Sequence, residues 1–391
     1  TIPKELGQLP ALFSLYLNDN SLTGIIPEEL WNCTELMEVV LSSNYLTGTI
    51  SYSVQTLTGL TILELGSNRL SGSLPSLRLS PNIEIIGLNQ NSLSGSVPAD
   101  CFSNASRLGR IILFENNFSG DLSFLSSIPT DDLDSSNRTG LTVVDLSSNA
   151  FTGSIPSAFL SSHTGLEILS LSLNCLEGKI PDTVCLLTHA ELLGLSSLSA
   201  GKACRNPFWK GTAFQKSWDA FGVDQYMRGS IPRCIFAFEN VTTIFVDGNS
   251  LEMNIAEVDF SPSLENIVIA KNNVHGMLPP SVSTLKHVQQ IDLSENVIHG
   301  SLEQMGKLAI ANSSSWENVS IDLSLNYFSG EIPGALAPLK DVSILIGNVF
   351  DCVSEVPPQD PNAGKYQCGS EAVDINFYIF LGIVAVAMLV V

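Results

Sequence analysis

The residues of this sequence that could carry chemistry recur at the spacing of a repeat. Two of the five histidines, His275 and His299, lie 24 residues apart in similar phrases. Equivalent side chains on neighbouring strands would be about 4.8 Å apart, so this pair could sense pH or share a metal ion. Repetition of one surface position explains the pair equally well. Asp292 and Asp322 also recur by repeat phase and do not by themselves indicate a catalytic pair of carboxylates.

No motif for catalysis accompanies these residues. The sequence contains no phosphate-binding glycine loop, kinase signature, nucleophile elbow or Cys/His cluster with metal-ligand spacing. We therefore expect a binding protein without enzymatic activity, cofactor or metal, although a kinase domain beyond residue 391 stays an open alternative. The formal charge of −21, from 39 acidic and 18 basic residues, disfavours nucleic acid as a partner, because phosphate backbones attract basic surfaces.

The elements that would position a binding site are set by an internal repeat of about 24 residues. Its phrase, L-x-x-N-x-L-[ST]-G-x-[IL]-P, is clear in LNDNSLTGIIP from Leu17, LSSNAFTGSIP from Leu146 and LSLNYFSGEIP from Leu323. The turn that begins at Leu195 keeps the phrase but has Leu198 in place of Asn. Alternating apolar residues predict one short parallel strand per turn, a leucine core, and a ladder of Asn hydrogen bonds between turns.

This phrase resembles the plant-type leucine-rich repeat of receptor-like kinases, receptor-like proteins and polygalacturonase-inhibiting proteins. The resemblance covers nearly all of residues 1–349 and implies an α/β solenoid of about 12–13 repeats, curved and twisted, with a parallel β-sheet on its concave face. The segments LIGNVFDC from Leu345 and YQCGS from Tyr366 resemble the cap that closes such solenoids, which implies a Cys352–Cys368 bridge. The expected organisation is repeats truncated at the N-terminus (1–200), an insert (201–228), repeats (229–349), a cap (350–370) and a membrane segment (375–391).

Cysteines and glycosylation sequons indicate passage through the secretory pathway. Cys204 and Cys234 bracket the insert, and we predict a bridge between them. Cys175 and Cys185 could pair with each other or lie unpaired in the core. Two further cysteines are expected to be buried small hydrophobes: Cys33 and Cys101. Asn-x-Ser/Thr sequons predict glycosylation at Asn32, Asn104, Asn117, Asn137, Asn240, Asn312 and Asn318.

The apolar segment 375–391, INFYIFLGIVAVAMLVV, is interpreted as a truncated transmembrane helix, because a complete span needs about 20 residues. The alternative is a glycolipid-anchor signal that begins at the small residues Asn362, Ala363 and Gly364. Cleavage there would separate Cys352 from Cys368, which favours the span. We therefore expect a cell-surface, single-pass membrane protein with extracellular repeats.

The insert differs from the rest of the chain because it is basic and rich in aromatic residues. Phe214, Trp218 and Phe221 have helical spacing, which predicts a short amphipathic helix. Its position resembles the island domain of brassinosteroid receptors, which implies one wall of a ligand site. The alternative is that the aromatic side chains only dock the insert onto neighbouring turns. The candidate ligand contacts within the insert are Phe208, Trp209, Lys210, Phe214, Lys216, Trp218, Phe221 and Tyr226.

The phase of the repeat also predicts which side chains face a partner on the concave sheet. One residue per turn lies between the two strand leucines: Tyr16, Val40, Glu64, Gly87, Ile112, Asp145, Ser170, Gly194, Phe245, Val268, Asp292 and Asp322. Phe245 and Val268 follow the insert, and Ile112 with Phe114 makes a second apolar spot, so these four are candidate contacts.

The function predicted from these features is extracellular recognition by a membrane-anchored receptor-like protein. Exposed aromatic residues beside a basic insert suggest a peptide, glycan or protein ligand, with a co-receptor as a further partner. The alternative function is a non-signalling surface or adhesion protein, or an inhibitor of secreted glycosidases.

Overall fold

A computed structural model of the chain describes residues 1–75, 80–130, 140–200, 204, 227–308, 316–351 and 356–367. The chain divides into two compact units, Thr1–Leu251 and Glu252–Val391, called unit 1 and unit 2 below. Each unit is a stack of turns in which a short strand, a tight bend, a second strand and a short helix follow one another. The predicted α/β repeat architecture, with one parallel strand per turn, is therefore confirmed.

The main sheet of unit 1 is built from three-residue parallel strands. Neighbouring strands pair without offset, so that Leu15 lies opposite Val39 and Val39 opposite Leu63. The middle residue of each strand is buried and forms the leucine-rich core, while the outer two face away from it. The main strands of unit 1 are Ser14–Tyr16, Glu38–Val40, Ile62–Glu64, Ile85–Gly87, Arg110–Ile112, Val143–Asp145, Ile168–Ser170, Leu192–Gly194 and Thr243–Phe245.

A second parallel sheet of unit 1 follows the bend in each turn. Its strands pair with an offset of two repeat positions, so that Gly120 lies opposite Phe151. The glycine of the repeat phrase has positive φ, for example 81° at Gly120 and 76° at Gly153, a conformation that glycine adopts without steric cost. The second strands of unit 1 are Thr23–Ile25, Tyr45–Gly48, Arg69–Ser73, Ser92–Ser96, Asn117–Asp121, Ala150–Gly153 and Cys175–Leu176.

Short helices complete the turns of unit 1, and most of them begin directly after a proline. Pro27, for example, has φ −63° and extended ψ before a helix that buries Leu30 and Trp31. Proline suits this position because its ring fixes φ and because the start of a helix does not need the N–H donor that proline lacks. In the described residues of unit 1, the 3-10 helices are Lys4–Gln8, Glu28–Asn32, Tyr52–Thr56, Ser123–Ser127, Asp182–Leu186 and Arg233–Ala237, and an α-helix is Ser157–Ser162.

Unit 2 repeats the same arrangement. Its main strands are Asn266–Val268, Gln290–Asp292, Ser320–Asp322 and Asp341–Ser343, and its second strands are Glu252–Asn254, Asn273–Gly276, Val297–Gly300, Tyr327–Gly330 and Val349–Phe350. Its helices are Ile255–Glu257, Pro280–Thr284, Glu303–Gly306, Trp316–Asn318 and Gly334–Leu336. The two-position offset sets His275 opposite Val297 and His299 opposite Tyr327. The prediction that the two histidines lie directly side by side is therefore wrong.

The predicted asparagine ladder is present, and most of its amide side chains bond to their own turn and to the preceding one. Asn149 donates to the carbonyls of Leu113 at 2.9 Å and Leu146 at 3.2 Å, and its Oδ1 accepts from the N–H of Phe118 at 3.0 Å. The residue before it, Ser148, has φ 54°, which bends the chain so that the Asn side chain points into the core. The ladder satisfies backbone groups that the bend would otherwise leave buried without partners.

The turn without the asparagine replaces the ladder bond by a backbone one. The carbonyl of Leu198 accepts from the N–H of Leu176 at 2.8 Å, and the Leu198 side chain is fully buried. The ladder resumes at Asn249, whose Oδ1 accepts from the N–H of Leu198 at 2.8 Å. The insert begins just after Leu198, where a second strand would otherwise start.

The disulfides correct the predicted pairing. Cys175 is bonded to Cys204 with a Cα–Cα distance of 5.2 Å, and Cys185 to Cys234 with a Cα–Cα distance of 5.6 Å. The predicted Cys204–Cys234 bridge is therefore wrong, because Cys204 and Cys234 each lie beside a different cysteine of the preceding turn. As predicted, two cysteines are buried thiols: Cys33 and Cys101. The predicted Cys352–Cys368 bridge lies outside the described residues.

Candidate recognition surface

The candidate surface is the exposed side of the main sheet in unit 1, called the main-sheet face below. It carries the first and last residue of each main strand and the second residue after the strand, which alternate with buried ones. The predicted row of contact residues coincides with the last positions of the main strands, for example Tyr16 opposite Val40 and Asp145 opposite Ser170. The predicted strand position is therefore confirmed in unit 1, although Val40, Gly87 and Gly194 are buried there. In unit 2 the predicted residues occupy the same strand position.

A column of half-exposed aliphatic side chains lies at the first strand position and was missed by the sequence reasoning. Val143, Ile168 and Leu192 are consecutive partners in the register, and Ile62 pairs with Ile85 in the same column. Residues i and i+2 of a strand share a face, so the same repeat phase contained the signal for this column. Arg110 separates Ile85 from Val143 in this column, so the main-sheet face carries two apolar strips that are not part of the core.

The predicted apolar contacts differ in their exposure. Phe245, Ile112 and Phe114 are half-buried and lie on the main-sheet face, which makes them available to a partner. Val268, in unit 2, is only 8% exposed and packs as a core residue. The predicted contacts of the insert, from Phe208 to Tyr226, lie outside the described residues.

The carboxylates of the face are held by neighbouring hydroxyl groups. Asp145 Oδ1 accepts from the backbone N–H of Ser147 at 3.0 Å and from its hydroxyl at 2.7 Å. Asp247 Oδ1 accepts from the hydroxyl of Ser196. These bonds fix the carboxylates on the surface of the sheet with little freedom to rotate, so the face presents negative charge at defined positions.

Between Asp145 and Asp247 the sheet surface carries small residues. Ser170 and Gly194 follow Asp145 in the register, and Ser172 accepts from the N–H of Ser196 at 3.0 Å. A Cβ at Gly194 would lie 2.8 Å from the Ser170 hydroxyl oxygen, so the sheet has no room for a larger residue there without a shift. We call this area, bordered by the aliphatic column, the serine floor.

A carboxylate also lies near the first turns of the face. Glu38 Oε2 accepts from the hydroxyls of Ser14 and Tyr16, both at 2.8 Å. The hydrogen bond to Glu38 raises the pKa of Tyr16 above its usual value, and burial and the charges of Glu38 and Glu64 act in the same direction. The Tyr16 hydroxyl therefore stays a hydrogen-bond donor across the physiological range.

The two ends of the insert lie at the second sheet of unit 1. At its start, Cys204 is tied to Cys175 of a second strand. At its end, Met227 forms a parallel bridge with Gly178, and the N–H of Arg228 donates to the Gly178 carbonyl at 2.6 Å. The insert thus leaves and rejoins the repeats on the side of the second sheet.

A groove of about 710 Å³ lies beside the second strands near the C-terminal end of the insert. Its lining includes Asp121, Ser123, Glu177 and Arg228. Hydrogen bonds from the Ser123 side chain and backbone lower the pKa of Asp121, so this carboxylate stays ionised in mildly acidic solution. The groove carries both signs of charge and is open to solvent.

Several other predictions meet the structure only in part. The described sequon asparagines, Asn32, Asn104, Asn117, Asn240 and Asn318, are all exposed and lie outside the main strands. Within the described part of the chain, no cluster of three or more His, Cys, Asp or Glu residues could hold a metal ion. Over the same residues, no helix is long and apolar enough to cross a membrane; the predicted span 375–391 lies outside them.

Comparisons with known proteins agree with this architecture. The family model described as Leucine Rich Repeat matches residues 11–33 and 140–162. The Arabidopsis receptor kinase HAESA, solved with the peptide hormone IDA and the co-receptor SERK1, is 26% identical with a TM-score of 0.67, over 96% of this chain and 56% of that one. The plant peptide hormone receptor RGFR1, solved with RGF2, is 25% identical with a TM-score of 0.64, over 90% of this chain and 57% of that one.

A TDR receptor structure is 25% identical with a TM-score of 0.72, over 95% of this chain and 57% of that one. This chain thus spans little more than half the length of these receptors. Comparison with curated protein sequences gives no match. The repeat phrase, the strand per turn and the asparagine ladder show a leucine-rich-repeat fold, which is similar to the fold of these plant receptors.

Proposed function

We propose that this chain is an extracellular recognition module that binds a peptide or protein ligand on the main-sheet face of unit 1. The observation that carries the proposal is the aliphatic column beside the serine floor, an apolar strip of three consecutive strands at Val143, Ile168 and Leu192. Exposed aliphatic side chains cost free energy in water, and a contiguous strip of them next to fixed polar groups is typical of a binding surface.

Two further observations support this surface. The described sequons lie outside the main strands, so glycans attached there would leave the face open. HAESA and RGFR1, which this chain resembles, were solved with peptide hormones. Attachment to a membrane through residues 375–391, contact with a co-receptor and a contribution from the aromatic insert belong to the same proposal, and the protein acts through binding rather than catalysis.

The experiment selects displayed linear peptides for binding to the full secreted chain. The peptides have about twelve residues, which span about 40 Å when extended. Enriched peptides are then measured against Ser170→Trp, which places a bulky side chain on the serine floor. The matched control is Thr152→Trp, an exposed strand position of the second sheet in the same unit. Ser170→Trp should weaken binding by about tenfold or more, equivalent to about 1.4 kcal/mol, and the control should not.

Two results would contradict the proposal. Enriched peptides could bind Ser170→Trp as tightly as the unaltered chain, or they could lose affinity only with Thr152→Trp. Either result would place the binding surface away from the main sheet. Circular dichroism of both variants checks that the repeats stay folded.

A further inference from the structure

We infer that the ligand of the main-sheet face is a cationic, extended peptide segment that places one basic side chain at Asp145 and a second at Asp247. The inference rests on the proposed function, because it concerns the same surface. It adds the chemical class of the ligand, the strands that it crosses and the spacing of its charges.

The charges of the main-sheet face favour a basic ligand. In the main strands of unit 1 and the two residues after each, the charged side chains are Glu38, Glu64, Asp145 and Asp247 against Arg110 alone. From the strand Val143–Asp145 to the strand Thr243–Phe245, the main strands contain no basic residue. An acidic surface attracts basic partners and repels acidic ones, which sets both association rate and specificity.

Two more carboxylates extend this acidic region. Glu167 and Glu191 directly precede the main strands Ile168–Ser170 and Leu192–Gly194, and both are exposed. They lie at the edge of the face beyond the aliphatic column. A ligand that crosses the serine floor from Asp145 to Asp247 would therefore have these two glutamate carboxylates along one side of its path, with the aliphatic column between them and the ligand.

The spacing of the two fixed carboxylates sets the spacing of the basic residues. Asp145 and Asp247 are separated by three strand steps and two residues along the strand direction, which corresponds to about 16 Å at ~4.8 Å per step and ~3.3 Å per residue. An extended chain advances about 3.3–3.6 Å per residue, so four or five residues separate the two basic side chains. The small side chains of Ser170 and Ser172 leave room for the backbone of such a segment.

The aliphatic column borders the middle of the ligand on one side. Ile168 and Leu192 lie on the two strands between those of Asp145 and Asp247, at the first strand position, two residues before the level of Asp145. A central side chain of the ligand that extends toward this edge of the serine floor meets aliphatic groups, and an apolar side chain loses water most favourably there. The ligand signature is therefore two basic residues with an apolar residue between them.

The test uses the peptides enriched on the full chain and the double variant Asp145→Asn/Asp247→Asn. Asparagine keeps an oxygen that accepts the serine hydrogen bonds, so the variant changes charge and not local structure. Asp292→Asn is the matched control, because Asp292 Oδ1 accepts from Ser294 N–H at 3.0 Å and hydroxyl at 2.7 Å, the same geometry as at Asp145.

The expected result is that enriched peptides carry Lys or Arg pairs four or five residues apart. Their affinity should fall about tenfold or more in the double variant, since a charge-assisted hydrogen bond is stronger than a neutral one, and stay unchanged in Asp292→Asn. Peptides that lack paired basic residues and bind the double variant normally, yet are blocked by Ser170→Trp, overturn the inference and leave the proposed function standing. Peptides unaffected by Ser170→Trp refute the proposed function itself.

Discussion

Replacement of Asn249 by Ala should destabilise unit 1 next to the serine floor. Asn249 is fully buried, its Nδ2 donates to the carbonyls of Leu195 and Val246 at 2.7 Å, and its Oδ1 accepts from the N–H of Leu198 at 2.8 Å. Alanine removes all three bonds. The Leu198 N–H then loses its acceptor, and the carbonyls of Leu195 and Val246 lose their side-chain donor, in a core that excludes water.

The magnitude follows from the three buried backbone groups that lose a bond to Asn249. Each buried polar group without a partner costs about 1–3 kcal/mol, so we expect a loss of at least about 3 kcal/mol in the free energy of unfolding. With a urea m-value of about 3 kcal/mol per molar, the midpoint of unfolding falls by at least about 1 M. Ladder rungs beyond the adjacent turns keep their bonds, because each turn contacts only its neighbours.

The assay is urea unfolding followed by far-ultraviolet circular dichroism, combined with amide hydrogen exchange of the peptide that contains Leu198. The matched control is Asn20→Ala, since Asn20 is exposed and bonds at 3.2 and 2.9 Å to carbonyls of its own turn; its loss should cost less than about 0.5 kcal/mol. If Asn249→Ala unfolds at the same urea concentration as the control and the Leu198 amide stays protected, the ladder does not carry the stability assigned to it.

Two predictions concern covalent and acid–base features of the fold. Peptide mapping of the secreted protein without reduction should recover the linked pairs Cys175–Cys204 and Cys185–Cys234, and a Cys204–Cys234 peptide would contradict the structure. Burial raises the pKa of Tyr366 above its usual value, against a smaller opposite effect of its Phe350 hydrogen bond. The contribution of the Tyr366 hydroxyl to stability is therefore full below about pH 10 and is lost as pH rises through the raised pKa. Tyr366→Phe removes the 2.6 Å bond that the Phe350 N–H donates to this hydroxyl, and it should lower the free energy of unfolding by about 1 kcal/mol at neutral pH. In urea titrations the difference between the two proteins should shrink above about pH 10; a constant difference would refute the reasoning.

The main strands and the asparagine ladder were predictable from the sequence because the repeat imposes them many times over. A single strand of three residues carries little signal, but a phrase that returns every turn fixes which residues are buried, as at Leu15, Val39 and Leu63. The phase also predicted one row of the main-sheet face. The aliphatic column was missed because only one position per turn was followed, although residues two apart share a face.

Other features depend on geometry between turns that the sequence leaves open. The two-position offset of the second strands, which separates His275 from direct contact with His299, comes from the bend in each turn. The disulfide partners depend on which cysteines lie within about 6 Å of each other by their Cα atoms. The bond at Leu198 could not be predicted from the sequence either, because the backbone carbonyl of Leu198 accepts the hydrogen bond that the Asn side chain accepts in other turns.

The central claim, that the serine floor and aliphatic column form the recognition surface, is tested most directly by photo-crosslinking. An enriched peptide with a photoreactive side chain at its centre is bound to the full chain, irradiated, and its attachment points are mapped by mass spectrometry. We expect crosslinks within residues 143–147, 168–172 and 192–196. Crosslinks confined to the second strands or to the groove at Asp121 and Glu177 would contradict it.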